Sequence, residues 1–336
     1  MSLEAALHHK TFWAVAVALL SLVSPARAAG IQLLEADPTL HGVIWTPCAA
    51  ALQSVPLGSL AVPGLETLPG VKDCPIKGTK LPLVIISHGR GGWIGGHHDL
   101  AEALADSGFI VAAINHPHDS VDDLSQSDSM SNWAARPGHI SHLIDFMLND
   151  WTGKAAIDPE RIGLFGFSLG AYTGLVLVGA KADFRRLAPW CKETDTSENC
   201  QRARRGDVPA SPSPEPRIRA AVLADNAESF AFTPETLAAI TVPLQVWRSE
   251  LGGNGVMATS TAFTASKLPA TSELHVVPAG HFAFVAPCSE ALAAAAPRIC
   301  TNTPADFDRA AFHRTFDAEV VRFFSEHLIG GSDRLP

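Results

Sequence analysis

An α/β fold, a mostly parallel central sheet covered by helices on both faces, is what this 336-residue sequence predicts, and three observations predict it. From Leu81 onward, β-rich runs alternate with helical patterns, as crossover units on a parallel sheet require. The runs carry Val, Ile and Leu with little alternation, as strands buried on both faces do. Between them, apolar residues recur three and four apart, which gives each helix one face to cover the sheet. At 47% hydrophobic residues the chain can bury one large core, so 29–336 is expected to form a single domain.

The elements follow in order. Residues 1–28 read as a signal peptide: His8, His9 and Lys10 precede an apolar run over 12–23, and Ala26-Arg27-Ala28 offers small residues for cleavage near Ala28. A membrane anchor is the alternative, but the run is shorter than the roughly 20 apolar residues of a spanning helix. The expectation is therefore export, periplasmic or secreted, with no stable membrane anchor. Residues 30–78 should hold two antiparallel edge strands, around 31–34 and 42–45, followed by a Pro- and Gly-rich passage. Core strands are expected at 81–87, 109–114, 161–166, 217–224, 242–248 and 272–278. Leu100 and Leu104 mark one helix, and Ile140, Ile144, Met147 and Leu148 a second. The last helix is expected over about 306–328, with Phe312, Phe316, Val320, Val321 and Phe324 on its apolar face. Segment 181–216 breaks the alternation with Arg185, Arg186, Arg202, Arg204, Arg205, two cysteines and the prolines 209, 212, 214 and 216. It reads as a lid-like insertion over one end of the sheet, with a functional lid and a passive surface loop both open.

Charge and cysteines narrow the function classes. The net charge of −9, one unit more acidic without residues 1–28, gives no electrostatic footprint for nucleic acid. An even set of six cysteines in an exported chain points to disulfides, and short loops propose 48–74, 191–200 and 288–300 for Cys48, Cys74, Cys191, Cys200, Cys288 and Cys300. No two of them have the C-x-x-C spacing that a zinc site would use.

A serine hydroxyl is a weak nucleophile until a base takes its proton, so nucleophilic chemistry requires a serine, a histidine and an acid that converge. Gly166-Phe167-Ser168-Leu169-Gly170 lies between a predicted strand and a predicted helix, the strand-turn-helix context in which G-x-S-x-G exposes a nucleophile. A chance pentapeptide would lack that setting. The oxyanion formed on attack needs two backbone N–H donors. Leu169 supplies one, and Arg90, in the glycine-rich loop His88-Gly89-Arg90-Gly91-Gly92 after a strand, the other; an ordinary flexible turn is the plainer reading of that loop. Chain order serine, acid, histidine selects His281, in Pro278-Ala279-Gly280-His281-Phe282, after the last strand and before the last helix. His88, His97, His98, His116 and His118 precede the serine, His275 lies within a strand, and His313 and His327 fall in or beside the final helix. His116, His118 and Asp119 form a possible metal set, but a strand-edge loop explains them more simply, and no metal is expected. Two acids remain open: Asp225, after the strand 217–224, and Glu250, after the next strand, the more usual place.

At this point the sequence resembles a known family. Pro82-Leu83-Val84-Ile85-Ile86-Ser87-His88-Gly89, Ser107-Gly108-Phe109-Ile110-Val111-Ala112-Ala113 and Gly166-Phe167-Ser168-Leu169-Gly170 are similar to the platelet-activating factor acetylhydrolases, with dienelactone-hydrolase-like proteins close by, over about 81–285. The resemblance implies the α/β-hydrolase fold, a triad of Ser168, Asp225 and His281, and oxyanion donors at Arg90 and Leu169. It favours Asp225 because Leu223-Ala224-Asp225-Asn226-Ala227 matches the family's acid context, and the family's next strand ends in Ser-Glu, as Ser249-Glu250 does, without using that glutamate. It further implies calcium-independent hydrolysis of esters with short acyl chains, no cofactor, a small-molecule ester as substrate and a link to lipid degradation. Arg90 stands where the acetylhydrolases carry an apolar residue, and 181–216 has no counterpart in them. Dienelactone hydrolases proper use a cysteine nucleophile, so Ser168 does not carry that activity over. An amidase or peptidase using the same apparatus, and a non-catalytic binding protein on this scaffold, are the rival readings.

Overall fold

The computed structural model describes residues 28–37 and 39–330, so the signal-peptide reading of 1–28 lies, apart from Ala28, outside the described residues. Among the described residues the strands are β1 (Gly30–Asp37), β2 (Leu40–Thr46), β3 (Gln53–Pro56), β4 (Thr67–Lys72), β5 (Leu81–Ser87), β6 (Ile110–Ile114), β7 (Ile157–Phe167), β8 (Ile218–Ala224), β9 (Leu244–Ser249) and β10 (Glu273–Val277). They form one sheet in the order β10-β9-β8-β7-β5-β6-β2-β1-β4-β3. From β10 to β6 every neighbouring pair is parallel, and β2 joins β6 antiparallel. The six core strands predicted from the sequence all form at the expected places.

Both faces of the parallel part are apolar. In β5, Leu83 and Ile85 point to one face and Val84 and Ile86 to the other, all buried. That is the pattern of a strand covered by helices on both sides. The helices α1 (His98–Asp106), α2 (Met130–Asn149) and α3 (Leu169–Leu177) follow β5, β6 and β7. α2 and α3 cover the face of Leu83 and Ile85, with Ile140, Ile144 and Leu175 in that core. α1 covers the opposite face together with the final helix, through Leu100, Leu104, Phe316 and Val320.

Segment 181–216 contains a short 3-10 turn (Phe184–Trp190) and α4 (Glu198–Arg205), which ends at Gly206 in a left-handed conformation. It is tied to the chain just after β8 by Asp183 N–H to Ala231 O (2.8 Å) and Arg186 Nε–H to Phe230 O (2.9 Å). It therefore sits over the carboxyl end of the sheet, beside the site described below. Beyond it come α5 (Pro234–Ala238), α6 (Ala258–Lys267), α7 (Glu290–Ala295), α8 (Pro297–Cys300) and α9 (Arg309–Phe324). The helix expected over 306–328 starts at its Asp308 cap and passes at Ser325 into a π-helical turn.

One expectation is corrected. The strands near 31–34 and 42–45 pair antiparallel as β1 and β2, but they do not form the edge: β4 adds parallel to β1 and β3 antiparallel to β4. These two extra strands occupy the passage that composition marked as irregular. β3 buries only Val55, and β4 only Leu68, Gly70 and Val71, too few for a periodic signal.

All three proposed disulfides are present, Cys48–Cys74, Cys191–Cys200 and Cys288–Cys300, with Cα separations of 6.0, 5.7 and 5.8 Å. Three such bridges suggest an extracellular or periplasmic protein, since reducing compartments keep thiols free. Among the described residues no helix is long and apolar enough to cross a membrane.

Candidate active site

Ser168 stands on the turn from β7 into α3, with φ 56° and ψ −116°, a conformation that non-glycine residues avoid and that a nucleophile elbow imposes. The flanking glycines have a steric cause. A Cβ on Gly166 would lie 2.3 Å from Gly170 O, and one on Gly170 would lie 1.9 Å from Ser87 O. Gly89, in the loop after β5, faces the serine so closely that a Cβ there would come within 3.1 Å of the Ser168 Cβ. The turn is pinned to the next strand by Ser168 N–H to Ala224 O at 2.8 Å.

His281 opens a short helical turn two residues past the strand-end loop at Ala279, and its ring stacks on Phe167 with centroids 4.7 Å apart. Its Nε2 is 3.0 Å from Ser168 Oγ, and its Nδ1 is 2.6 Å from Asp225 Oδ2. All three residues are buried. With Nδ1–H donating to the carboxylate, Nε2 is left to accept the serine proton. Asp225 is itself oriented at both oxygens: Oδ1 accepts from Ser249 N (2.8 Å), and Oδ2 accepts from Ser249 Oγ (2.7 Å). Glu250 is exposed beyond the end of β9, with its backbone N–H on Val277 O, so the acid joined to the histidine is Asp225.

Of the two expected oxyanion donors, Leu169 is the first residue of α3, where helix N–H groups lack an intrahelical partner. Arg90 follows Gly89. Its side chain turns away, with Nη1 2.5 Å from Asp128, Nη2 on Glu228, and the guanidinium 5.1 Å from the Trp133 ring centroid. Burial pushes the carboxyl of Glu228 up to about 7, against the opposing pull of Arg90.

The metal reading of His116, His118 and Asp119 dissolves because the three side chains diverge. His118 pairs with Asp123 on the surface (2.8 Å), His116 meets Ser87 and His139, and Asp119 binds Arg136 at 2.5 Å. Burial holds His116 and His88 well below the ordinary histidine range, and Arg136 reinforces the effect; His139 is lowered to about 4 for the same two reasons. Elsewhere among the described residues, Asp99, His313 and Asp317 offer ligand atoms within 4.8 Å of one another. There the imidazole is already engaged on both sides, with Nδ1 on Asp99 (2.6 Å) and Nε2 on Ala283 O (2.8 Å). That arrangement straps α1 to α9.

Beside the triad a cavity of about 650 Å³ runs from Gly89 and Phe167 past Trp93 and Phe282 to Leu292 and Ile299. Its lining is mostly apolar and includes both Cys288 and Arg298, whereas segment 181–216 contributes no residue to it. Apart from the cysteine pair 288–300, nothing in the sequence marks the far wall, 285–299. Its run of alanines has no period that distinguishes a cavity wall from a surface turn.

Comparison with known proteins agrees with this architecture. A solved ferulic acid esterase from Streptomyces cinnamoneus superposes with a TM-score of 0.61 over 94% of this chain and 95% of that one, at 18% identity. The chain has the α/β-hydrolase fold. The family described as platelet-activating factor acetylhydrolase, isoform II, matches residues 49–131 of this chain. The lasso peptide isopeptidase AtxE2 of Asticcacaulis excentricus is 35% identical over 106 residues, 29% of this chain and 15% of its own length. The chain thus spans only a small part of that relative. All three findings fit an acetylhydrolase-like or dienelactone-hydrolase-like α/β hydrolase.

Proposed function

We propose that this chain, from residue 29 onward as one catalytic domain, hydrolyses carboxylic esters through an acyl-enzyme on Ser168. The observation that carries the reading is the unbroken hydrogen-bond line Ser168–His281–Asp225 at the side of an apolar cavity. In this reading Ser168 Oγ attacks the ester carbonyl while His281 Nε2 takes its proton, and Asp225 stabilises the imidazolium that forms. The N–H groups of Leu169 and Arg90 receive the negative oxygen. Collapse breaks the carbonyl–alkoxy bond, and His281 returns its proton to the departing alcohol. Water, deprotonated by His281, then attacks the acyl-enzyme carbonyl and frees both the acid and Ser168. No cofactor takes part.

The family resemblance favours a short acyl group, while the cavity has room for the larger apolar part of an ester. An amide substrate is the second reading, favoured by the isopeptidase similarity, because the same apparatus cleaves an amide once the amine is protonated. Labelling with a fluorophosphonate tests the nucleophile: the folded chain should be modified at Ser168, and an unlabelled chain would favour a binding protein on a hydrolase scaffold. Turnover should fall by about 10⁴-fold in Asp225→Asn and stay near normal in Glu250→Gln. Matched esters and anilides over a series of acyl lengths complete the test, and faster anilide turnover would overturn the esterase reading.

A further inference from the structure

Among the described residues Arg136 is the largest charged side chain with no exposure at all, and the triad does not use it. It lies in α2 directly before Pro137, and its guanidinium reaches four groups. Nη1 meets Asp119 Oδ2 at 2.5 Å, Nη2 donates to the carbonyl of His88 and, at 3.4 Å, to Ser87 Oγ, and Nε donates to Thr173 Oγ1 at 3.2 Å. Asp119 passes the connection on, because its other oxygen accepts the Gly91 N–H at 2.7 Å. Thr173 does the same on the other side, its hydroxyl donating to Leu169 O at 2.9 Å.

We propose that the buried Arg136–Asp119 pair is a positioning device for the oxyanion site, clamping loop 88–91 at both ends and tying it to the first turn of α3. The clamp engages His88 and Gly91, the two residues that flank Gly89 and Arg90. Its third arm ends on Leu169. Both proposed donors thus belong to segments held by one guanidinium, although neither donor touches it. The surrounding histidines keep this arrangement free of competing charge. His88 Nε2 accepts the His116 N–H at 3.0 Å, so its proton sits on Nδ1 and bonds Gly89 O at 2.7 Å, which adds a second hold on the loop. A glycine-rich loop without such anchors would sample many conformations, and oxyanion donors act only when held in place before the charge develops.

This rests on the proposed ester hydrolysis, and the test separates the two. A buried ion pair that only fills space can be exchanged for apolar side chains at little cost, whereas removing one partner strands the other charge. The deciding variant is therefore the double substitution Arg136→Met with Asp119→Leu, assayed on a p-nitrophenyl ester and with a trifluoromethyl ketone whose serine adduct carries an oxyanion. Expected are a melting temperature within a few degrees of wild type, KM within about threefold, and kcat about 100-fold lower, with the ketone's Ki raised by a similar factor. If kcat and Ki both stay within about threefold, or if only KM moves, the pair is packing and the proposal fails. Should the double variant not fold, Asp119→Asn, which keeps volume and an acceptor for Gly91, is read the same way: about tenfold in kcat and Ki supports positioning, and no change overturns it. Wild-type protein that is neither labelled by a fluorophosphonate nor active on esters would instead sink the functional reading beneath it.

Discussion

Two disulfide-closed segments stand at the carboxyl end of the sheet, and they differ in nearly everything else. The segment around Cys191–Cys200 is rich in arginine: Arg204 binds the carbonyls of Lys192 and Asp195, Arg185 pairs with Asp183 in solvent, and Trp190 is 62% exposed. The segment around Cys288–Cys300 is alanine-rich, with Leu292 and Ile299, and it forms the far wall of the 650 Å³ cavity. It is seated on the turn after β3 by Ser289 Oγ–H to Gly64 O (3.2 Å), and on the loop before α1 by Ala286 N–H to Gly96 O (3.0 Å). Charge made the first segment conspicuous, yet charge is what solvent accommodates. The second is inconspicuous because a wall that contacts an apolar ligand needs only bulk and shape.

The sharpest way to break this contrast is to open the two disulfides in turn. Cys288→Ser with Cys300→Ser should raise KM for a bulky apolar ester by about tenfold, since the wall loses its brace and part of its apolar contact. Cys191→Ser with Cys200→Ser should leave KM and kcat unchanged while lowering the melting temperature by a few degrees. Steady-state kinetics on both pairs decide it, and the reverse pattern would reassign the cavity wall. A smaller effect is expected from single truncations. Leu292→Ala should raise KM for the same ester about fivefold, while Leu187→Ala should change it less than about twofold.

Smaller still is a pH effect at the boundary between the two regions. The Glu228 side chain is only 10% exposed and holds its proton up to about 7 in the folded protein, above its ordinary value of 4.5. A carboxyl raised by folding favours the folded state at low pH, and that advantage is lost as pH climbs from 4.5 through 7. The melting temperature of Glu228→Gln relative to wild type should therefore improve across this window by roughly 3 °C, measured by calorimetry at pH 4.5 and pH 8. A constant difference would mean that Glu228 stays ionised on Arg90 throughout. The least effect belongs to Arg185→Ala, where an exposed ion pair should shift the melting temperature by less than about 1 °C.

Much of the molecule was legible in the linear chain, for identifiable reasons. The core strands announced themselves because burial on both faces demands continuous Val, Ile and Leu. The three cysteine pairs were proposed from loop length alone and bond in that way. The short strands β3 and β4 escaped notice because so few of their side chains are buried. Asp119 was noticed for the wrong partner: beside two histidines in sequence it suggested a metal, and in space it meets an arginine 17 residues later. Ser249 was seen only as part of a family pattern, and its two hydrogen bonds to Asp225 give that pattern a cause.

What the sequence by itself determined is the turn at Ser168, because its requirement is local. Two glycines must flank a strained residue where backbone passes within van der Waals reach, and any chain with that strand, turn and helix must spend its glycines there. Chain order points to His281 and the family resemblance to Asp225, but only the tertiary structure joins them to the serine. Asp225 and Glu250 each follow a strand of the same sheet, and by spacing both stay open, with Glu250 at the more usual place. A left-handed residue at Asp225, with φ 50°, accompanies the carboxylate that reaches His281, while Glu250 remains in solvent. The cavity wall and the Arg136 clamp likewise join residues far apart in the chain, and no local preference records which distant groups folding will bring together.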